Sequence, residues 1–264
     1  MAQRRVLITG AGSGLGLALA QRYAARGDRV ACIDLHGDRA EAACAGLAGE
    51  GHLAHGADVG SDESMAALAQ DVHSQWGAPD VLVNNAGIAS GGGLLDAGMD
   101  EWRRVLEINL LGVVRGCRAF LPAMVERGAG QVINVASFAA LAGAPNIMSY
   151  GVSKAGVLAL SEQLRAEMQP HGVRVSVICP AFFRTNLLQN WVGSAQMRPF
   201  AERMMALSDD PLERVADACL AGVERGDFLI LPTRREPLRW RIKRWFPELY
   251  FRSLMKGVAR ATRR

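Results

Sequence analysis

From residue 5 to residue 231, short runs of β-branched and aliphatic residues alternate with longer stretches whose apolar positions recur at helical spacing. The runs 5–9, 29–34, 52–58, 80–84, 131–137, 173–179 and 228–231 are predicted strands. The stretches 15–26, 38–48, 61–76, 102–127, 149–171 and 211–225 are predicted helices, the third opened by the cap residue Ser61. Strand–helix alternation repeated this often predicts an α/β fold, a doubly wound and mostly parallel sheet with helices on both faces. Residues 187–208 interrupt the alternation as an insertion in which no strand is predicted. Loops at that position of such a sheet often cover a ligand.

The last 32 residues break the pattern. Residues 233–264 hold eleven Lys/Arg and two Glu, a net charge of +9, while the rest of the chain has a net charge of −5. The overall +4 therefore hides an acidic body and a strongly basic extension. Pro237 and Pro247 each suit a first helical turn, which predicts two short helices. Leu238, Ile242, Trp245 and Phe246 fall on one face of the first. Leu249, Tyr250, Leu254 and Val258 line the second, with most of the charge opposite. Such a stripe packs on the chain's own body, on a sister subunit, or on an anionic membrane surface. The division expected is a catalytic domain, 1–232, and a basic amphipathic extension, 233–264. Nothing in the extension matches a nucleic-acid recognition module, so nucleic acid is not an expected partner.

At 264 residues and 50% hydrophobic, the chain suffices for one sizeable core. No stretch approaches the roughly 18 apolar residues of a membrane span, and no signal peptide is read at the start. The five cysteines are scattered and form no Cys-x-x-Cys pair. They read as reduced thiols of a cytoplasmic protein. The five histidines show no metal-ligand spacing, and no metal is expected.

Two constellations carry chemistry. The first is Thr9-Gly-Ala-Gly-Ser-Gly-Leu-Gly16, between the first strand and the first helix. A dinucleotide pyrophosphate needs backbone amides at a helix N-terminus, where unpaired N–H groups and the helix dipole favour an anion. Gly10 permits the tight turn, Gly14 lets the phosphate approach and Gly16 lets helix and sheet pack, with Leu15 counted beside them among the cofactor-binding residues. Asp34 ends the second strand, 18 residues after Gly16. A carboxylate there accepts the ribose hydroxyls of adenosine and repels a 2′-phosphate, which favours NAD over NADP. Arg39 is the residue that would instead meet a 2′-phosphate.

The second constellation is Ser137, Tyr150 and Lys154. Tyr150 and Lys154 lie four residues apart on one helix face. A phenol with a pKa near ~10 is a poor base at neutral pH, and a nearby cation lowers that value. Ser137, at a strand end, is placed to hydrogen-bond a substrate oxygen.

With these residues in hand, the chain resembles the short-chain dehydrogenase/reductase family, in its single-domain branch. Thr9–Gly16 matches the family's cofactor loop, Asn84-Asn-Ala-Gly87 its fourth-strand motif, and Asn109 its helix asparagine. Ser137, Tyr150 and Lys154 match the catalytic set. Pro180-Ala-Phe-Phe-Arg-Thr185 resembles the nicotinamide loop, with Ala181 where Gly is usual. The resemblance covers about residues 4–232. It implies a Rossmann-like sheet and an NAD(P)-dependent enzyme in which Tyr150 is the general acid/base. It implies that Lys154 lowers the phenol's pKa and binds the nicotinamide ribose, that Ser137 orients the substrate oxygen, and that Asn109 holds a water leading from Lys154 to solvent. Asp58 and Val59 would flank the adenine, Asn85 would hold the cofactor through its backbone, and Pro180 and Thr185 would fix the carboxamide. Asn109 as the satisfaction of a kinked helix, and Asp58 as a helix-start residue, stay open. The resemblance also implies a homo-oligomer.

The residues expected around the substrate are apolar: Phe138, Ala139, Leu141, Ala144, Pro145, Met148, Phe182, Phe183, Leu187, Leu188 and Trp191. Arg184 is the one cation near them in sequence. The expected reaction is hydride transfer between NAD(H) and an apolar secondary alcohol or ketone. The alternatives are an NADPH-dependent ketone reductase and a catalytically idle nucleotide-binding scaffold acting through its basic tail.

Overall fold

The computed structural model describes residues 3–185 and 187–262. Its elements in chain order are β1 (Arg5–Thr9), α1 (Gly14–Ala25), β2 (Arg29–Asp34), α2 (Gly37–Ala45), β3 (Leu53–Gly56), α3 (Asp62–Trp76), β4 (Val81–Asn84) and β5 (Ser90–Gly91). There follow α4 (Met99–Leu106), a π-helical turn (Glu107–Leu111), α5 (Gly112–Arg127), β6 (Gly130–Val135), α6 (Ala139–Ala142), α7 (Met148–Met168) and β7 (Val173–Ile178). The chain ends with β8 (Val192–Gly193), α8 (Arg198–Ala206), α9 (Leu212–Arg225), β9 (Leu229–Ile230), α10 (Glu236–Trp245) and α11 (Pro247–Thr262).

Seven strands form one sheet in the order β3-β2-β1-β4-β6-β7-β9, and every neighbouring pair is parallel. Because the strands are buried on both faces, they are nearly unbroken runs of Val, Ile, Leu and Ala. Two apolar layers result. One gathers Leu7, Leu82, Val132 and Val175 under α3, α5 and α7. The other gathers Ile8, Val83 and Ile133 under α1 and α9. The strand order reverses between β1 and β4, so a crevice opens beyond their carboxyl ends, where a doubly wound sheet binds ligands.

Three expectations need correction. The insertion 187–208 does hold a strand: β8 pairs in parallel with β5, and α8 follows it. Two residues are too short for a periodic signal, and the pairing depends on Gly193, whose φ of 114° a side chain rarely adopts. The predicted helix 102–127 starts earlier, at Met99, and contains the π-helical turn. An 18-residue window within Met99–Arg127 is as apolar as a membrane span, with a mean hydropathy of 1.4. Much of that surface is Val105, Val113, Cys117, Phe120 and Met124, all buried inside the fold.

The third correction concerns the extension. Its two helices form as expected, but α10 packs only part of its apolar stripe on the body, at the half-buried Ile242. It turns inward the buried Glu236, the half-buried Trp240 and the half-buried Lys243, whose Nζ donates to the Leu141 carbonyl, and leaves Leu238, Trp245 and Phe246 exposed. On α11 the expected residue Tyr250 is buried, and Leu254 and Val258 are half-buried. Arg263 and Arg264 lie outside the described residues.

A buried polar ladder ties the central strands to α7. The Asn84 Nδ2 donates to Asn134 Oδ1 at 2.9 Å across the β4–β6 register pair, and the Asn134 Nδ2 donates to Ser161 Oγ at 3.0 Å. All three residues are buried. Replacing Asn134→Leu strands one donor and one acceptor, at a cost of about 1–3 kcal/mol. Urea denaturation is expected to show a lower midpoint with an unchanged slope.

Candidate active site

The glycine loop between β1 and α1 forms the floor of the crevice. Gly14 has a φ of 55°, a conformation that costs a residue with a Cβ. Gly16 is excluded from substitution by space: a Cβ there would sit 2.2 Å from the Gly10 carbonyl oxygen. The N-terminus of α1 has no side-chain cap and no acidic residue in its first turn. Its amides are therefore left to whatever occupies the crevice, and they suit an anion. The loop is locked from behind. Asn85 Nδ2 donates to the carbonyls of Thr9 and Gly10, while Thr9 Oγ1 accepts the backbone N–H groups of Asn85 and Ala86. Asn85 thus acts through its side chain as well as its backbone. Thr9, which the expected site residues omit, is the hinge of this lock; its place at the head of the glycine run is the signal that pointed to it.

Asp34 lies at the end of β2 with both oxygens occupied. Oδ2 accepts the Gly12 N–H and Oδ1 accepts the His36 N–H, each at 3.1 Å. These bonds fix the carboxylate on the crevice wall. A Cβ on Gly12 would meet that carboxylate at 2.6 Å, so Gly12 also contributes to this corner. The exposed Arg39 borders the same corner. Asp58 and Val59 line the crevice beyond β3, where Asp58 Oδ1 accepts the Gly60 N–H at 2.8 Å and Ser61 caps α3. Asp58 therefore shapes the turn before α3, and Ser61 carries the cap.

Ser137, Tyr150 and Lys154 come together at the centre. Ser137 Oγ accepts the Ala139 N–H at 3.1 Å and donates to the Pro180 carbonyl at 3.4 Å, and it lines the cavity beside Tyr150. Lys154 is buried, and its Nζ donates to the Val135 carbonyl at 2.9 Å. Asn109 lies in the π-helical turn with no exposed surface. Its amide closes a two-point clamp on Ile88, accepting the N–H at 2.8 Å and donating to the carbonyl at 3.0 Å, and it also donates to Ser153 Oγ. Gly87 separates Asn109 from Lys154: a Cβ there would lie 3.0 Å from Asn109 Oδ1 and 3.4 Å from Lys154 Nζ. The structure thus places Asn109 both in an irregular helix and beside the lysine.

Burial governs the ionisation of this group. Desolvation pushes the Tyr150 phenol above its usual value, against a downward pull from the Ser137 hydroxyl. Desolvation also pulls Lys154 down to about 8. Lys154 Nζ stands 6.0 Å from the centre of the Tyr150 ring.

Pro180 and Thr185 complete the far wall. The Pro180 carbonyl accepts the Phe138 N–H at 2.8 Å, and Thr185 stands opposite Gly14, 3.7 Å from the position of a Cβ there. Among the described residues Asn146 is the one non-glycine with a positive φ. Ala181 therefore occupies its glycine-like position without left-handed strain.

These walls enclose a cavity of about 910 Å³. Its inner part is apolar, but not with the residue set expected. Leu141 is buried in the core beneath it, Met148 faces outward, and Trp191 packs on Gly91. None of the three lines the cavity, whereas Ile147, Phe200, Met204 and Met205 do. The extension supplies the remaining wall through Arg239, Ile242, Leu249, Leu254 and Val258. Arg184 turns away to the Ala206 carbonyl, so the cation bordering the substrate region is Arg239, which stacks 6.0 Å over Phe138 and contacts Glu236. No local pattern could reveal Arg239, because the fold-back of α10 puts it there.

An uncapped helix N-terminus, a carboxylate fixed at the end of β2 and a Ser–Tyr–Lys group thus meet at the sheet's switch point. Residues 4–195 match the short chain dehydrogenase family, and the chain belongs to that family. It is 36% identical over 232 residues to the "Probable oxidoreductase EphD" of Mycobacterium tuberculosis, a match that covers 83% of this chain and 39% of that protein. The chain thus spans well under half the length of that relative. It is 39% identical over 183 residues to the D-threitol dehydrogenase of Mycolicibacterium smegmatis, covering 69% of this chain and 70% of that one. A short-chain dehydrogenase/reductase from Burkholderia phymatum, solved in complex with NAD, superimposes with a TM-score of 0.85 at 26% identity over 94% of this chain and 95% of that one. A short-chain dehydrogenase from Sphingobium yanoikuyae, solved with NADPH, does so with a TM-score of 0.77 at 27% identity, covering 97% and 95%.

The depressed value at Lys154 has a measurable consequence. The folded chain holds this proton more weakly than the unfolded chain. Its stability without nucleotide therefore rises as pH climbs from about 8 towards the ordinary lysine value of 10.5. Lys154→Met removes the buried charge and is expected to stabilise the nucleotide-free protein at pH 7 by about 1–3 kcal/mol. Thermal melts at pH 7 and pH 10 should show that gain shrinking at the higher pH.

Proposed function

We propose that the protein is an NAD(H)-dependent dehydrogenase or reductase of apolar secondary alcohols and ketones. The observation that carries this reading is the convergence of the Ser137–Tyr150–Lys154 group on an apolar cavity that also contains the anion-accepting end of α1. NAD(H), when bound, supplies the acceptor or donor of the hydride. The uncapped α1 amides and Gly14 hold the pyrophosphate, and Asp34 accepts from the adenosine ribose. Asp58 and Val59 border the adenine, and Pro180 and Thr185 hold the carboxamide end.

Tyr150 exchanges the proton of the substrate oxygen, and Ser137 donates a hydrogen bond to the same oxygen. Lys154 binds the nicotinamide ribose and, once a bound ligand supplies acceptors for its ammonium, favours the phenolate. Asn109 holds a water in the space that Gly87 leaves between it and Lys154, giving the proton a route outward. The aliphatic and aromatic wall sets the preference for an apolar substrate, because a polar one would lose water there without finding partners.

An NADPH-dependent reading has one observation in its favour, the exposed Arg39 at the Asp34 corner. Asp34 opposes it, since its carboxylate is held in place by two backbone amides and would repel a 2′-phosphate. Asp34→Ala is expected to weaken NAD use and to narrow the ratio of kcat/KM between NAD and NADP. A wild-type preference for NADP would assign the corner to Arg39. Tyr150→Phe is expected to lower kcat by about 10²–10⁴ while leaving the affinity for NAD within a few-fold of wild type. NADH formation from a series of 2-alkanols, with nucleotide binding followed by intrinsic fluorescence quenching, checks both halves of that statement.

A further inference from the structure

The extension presents two different surfaces. Its inner surface closes the cavity, and its outer surface has no counterpart in the body. Leu238, Trp245, Phe246, Phe251 and Met255 are exposed there, Trp245 at 73% and Phe246 at 62%. Two indole- and phenyl-bearing residues side by side at a helix corner are costly to leave in water. Arg241 and Arg244 on α10 and Arg252 and Lys256 on α11 are exposed around them.

From this arrangement we infer that the outer face of α10–α11 docks on an anionic lipid bilayer. Three observations select a bilayer over other occupants. First, cations surround the apolar residues on both helices, so anionic headgroups and acyl chains are met by one surface. Second, the charge of the molecule is polarised: the extension carries +9 and the remainder −5. An anionic sheet attracts the extension and repels the body, which fixes the orientation. A face-to-face pairing of two extensions sets like charges against each other. Third, exposed apolar residues also rim the cavity. Leu249 and Phe200 line the cavity and are themselves exposed, at 61% and 40%. A mouth rimmed in this way opens toward the lipid when the extension is docked.

A corollary rests on the function proposed above: the substrate is a membrane-partitioned alcohol or ketone that enters from the lipid side. The docking itself does not depend on that reading and is tested without turnover.

Full-length protein is floated with vesicles of phosphatidylcholine alone or of phosphatidylcholine with a third phosphatidylglycerol, at low and at high salt. The protein is expected to float with the anionic vesicles at low salt and to remain below with the neutral ones. Each cation at such a surface contributes on the order of fivefold to partitioning, so Arg241→Gln with Arg244→Gln is expected to reduce binding on the order of 25-fold. Trp245→Ala with Phe246→Ala should reduce it on the order of a hundredfold. None of these four side chains lines the cavity, so NAD binding and the thermal midpoint should be unchanged in both variants. Flotation that ignores lipid charge, or that neither double substitution reduces, overturns the inference. So does an absence of flotation accompanied by a dimer that dissociates on Trp245→Ala, which gives the face to a second copy of the chain.

Discussion

A lysine side chain removed from water at the carboxyl ends of β4 and β6 is the constraint around which the central site is built. Lys154 Nζ donates to the Val135 carbonyl, and burial lowers its pKa to about 8. An ammonium so placed is tolerated only because the scaffold around it is rigid and already satisfied. The Asn109 clamp on Ile88 fixes one side. Ser153 is held between Asn109 and the Tyr150 carbonyl. The Asn84–Asn134–Ser161 ladder fixes the layer beneath. The fold thus holds a cation whose charged form desolvation disfavours, at the point where the cavity's polar groups converge.

The same logic extends outward. The glycine loop gives up side chains so that backbone amides and the Asp34 carboxylate can face one space, and Thr9 and Asn85 hold that loop from behind. At the opposite end, the extension closes the cavity with Ile242, Leu249, Leu254 and Val258. The cavity therefore grades from hydrogen-bonding groups at the α1 end to a mainly aliphatic wall at the α10–α11 end, with Arg239 as its cation. A dinucleotide and an apolar substrate have complementary needs along that gradient.

The order of strands and helices was legible because each is long and strongly periodic, and a parallel sheet buried on both faces makes its strands nearly all apolar. The residues of the central site were legible for a different reason: a glycine-rich turn after β1, a serine after β6 and a Tyr-x-x-x-Lys pair on the next long helix stand in the order and spacing of the family that the chain resembles. What escaped is what tertiary contact decides. The two-residue strand β8 has no period to detect. Leu141, Met148 and Trp191 are as apolar as the residues that do line the cavity, and only the path of the chain separates them. The inward face of α10 ran against its pattern. The body accepts Trp240 and Ile242 together with the stem of Lys243, whose ammonium reaches a carbonyl, and Leu238, Trp245 and Phe246 of the stripe are left outside. The pKa of the phenol also depends on burial of the whole group, which the four-residue spacing of Tyr150 and Lys154 does not encode.

The central claim is that this cavity brings an alcohol carbon into hydride-transfer distance of a nicotinamide ring. Isotope transfer tests it most directly. The protein is incubated with NAD and 2-octanol deuterated at the carbinol carbon, and the recovered NADH is weighed by mass spectrometry. Direct transfer predicts one deuterium in each NADH formed, with none lost to solvent. NADH that carries no label, or the absence of any NADH or NADPH across a series of secondary alcohols with NAD and NADP, would contradict the account.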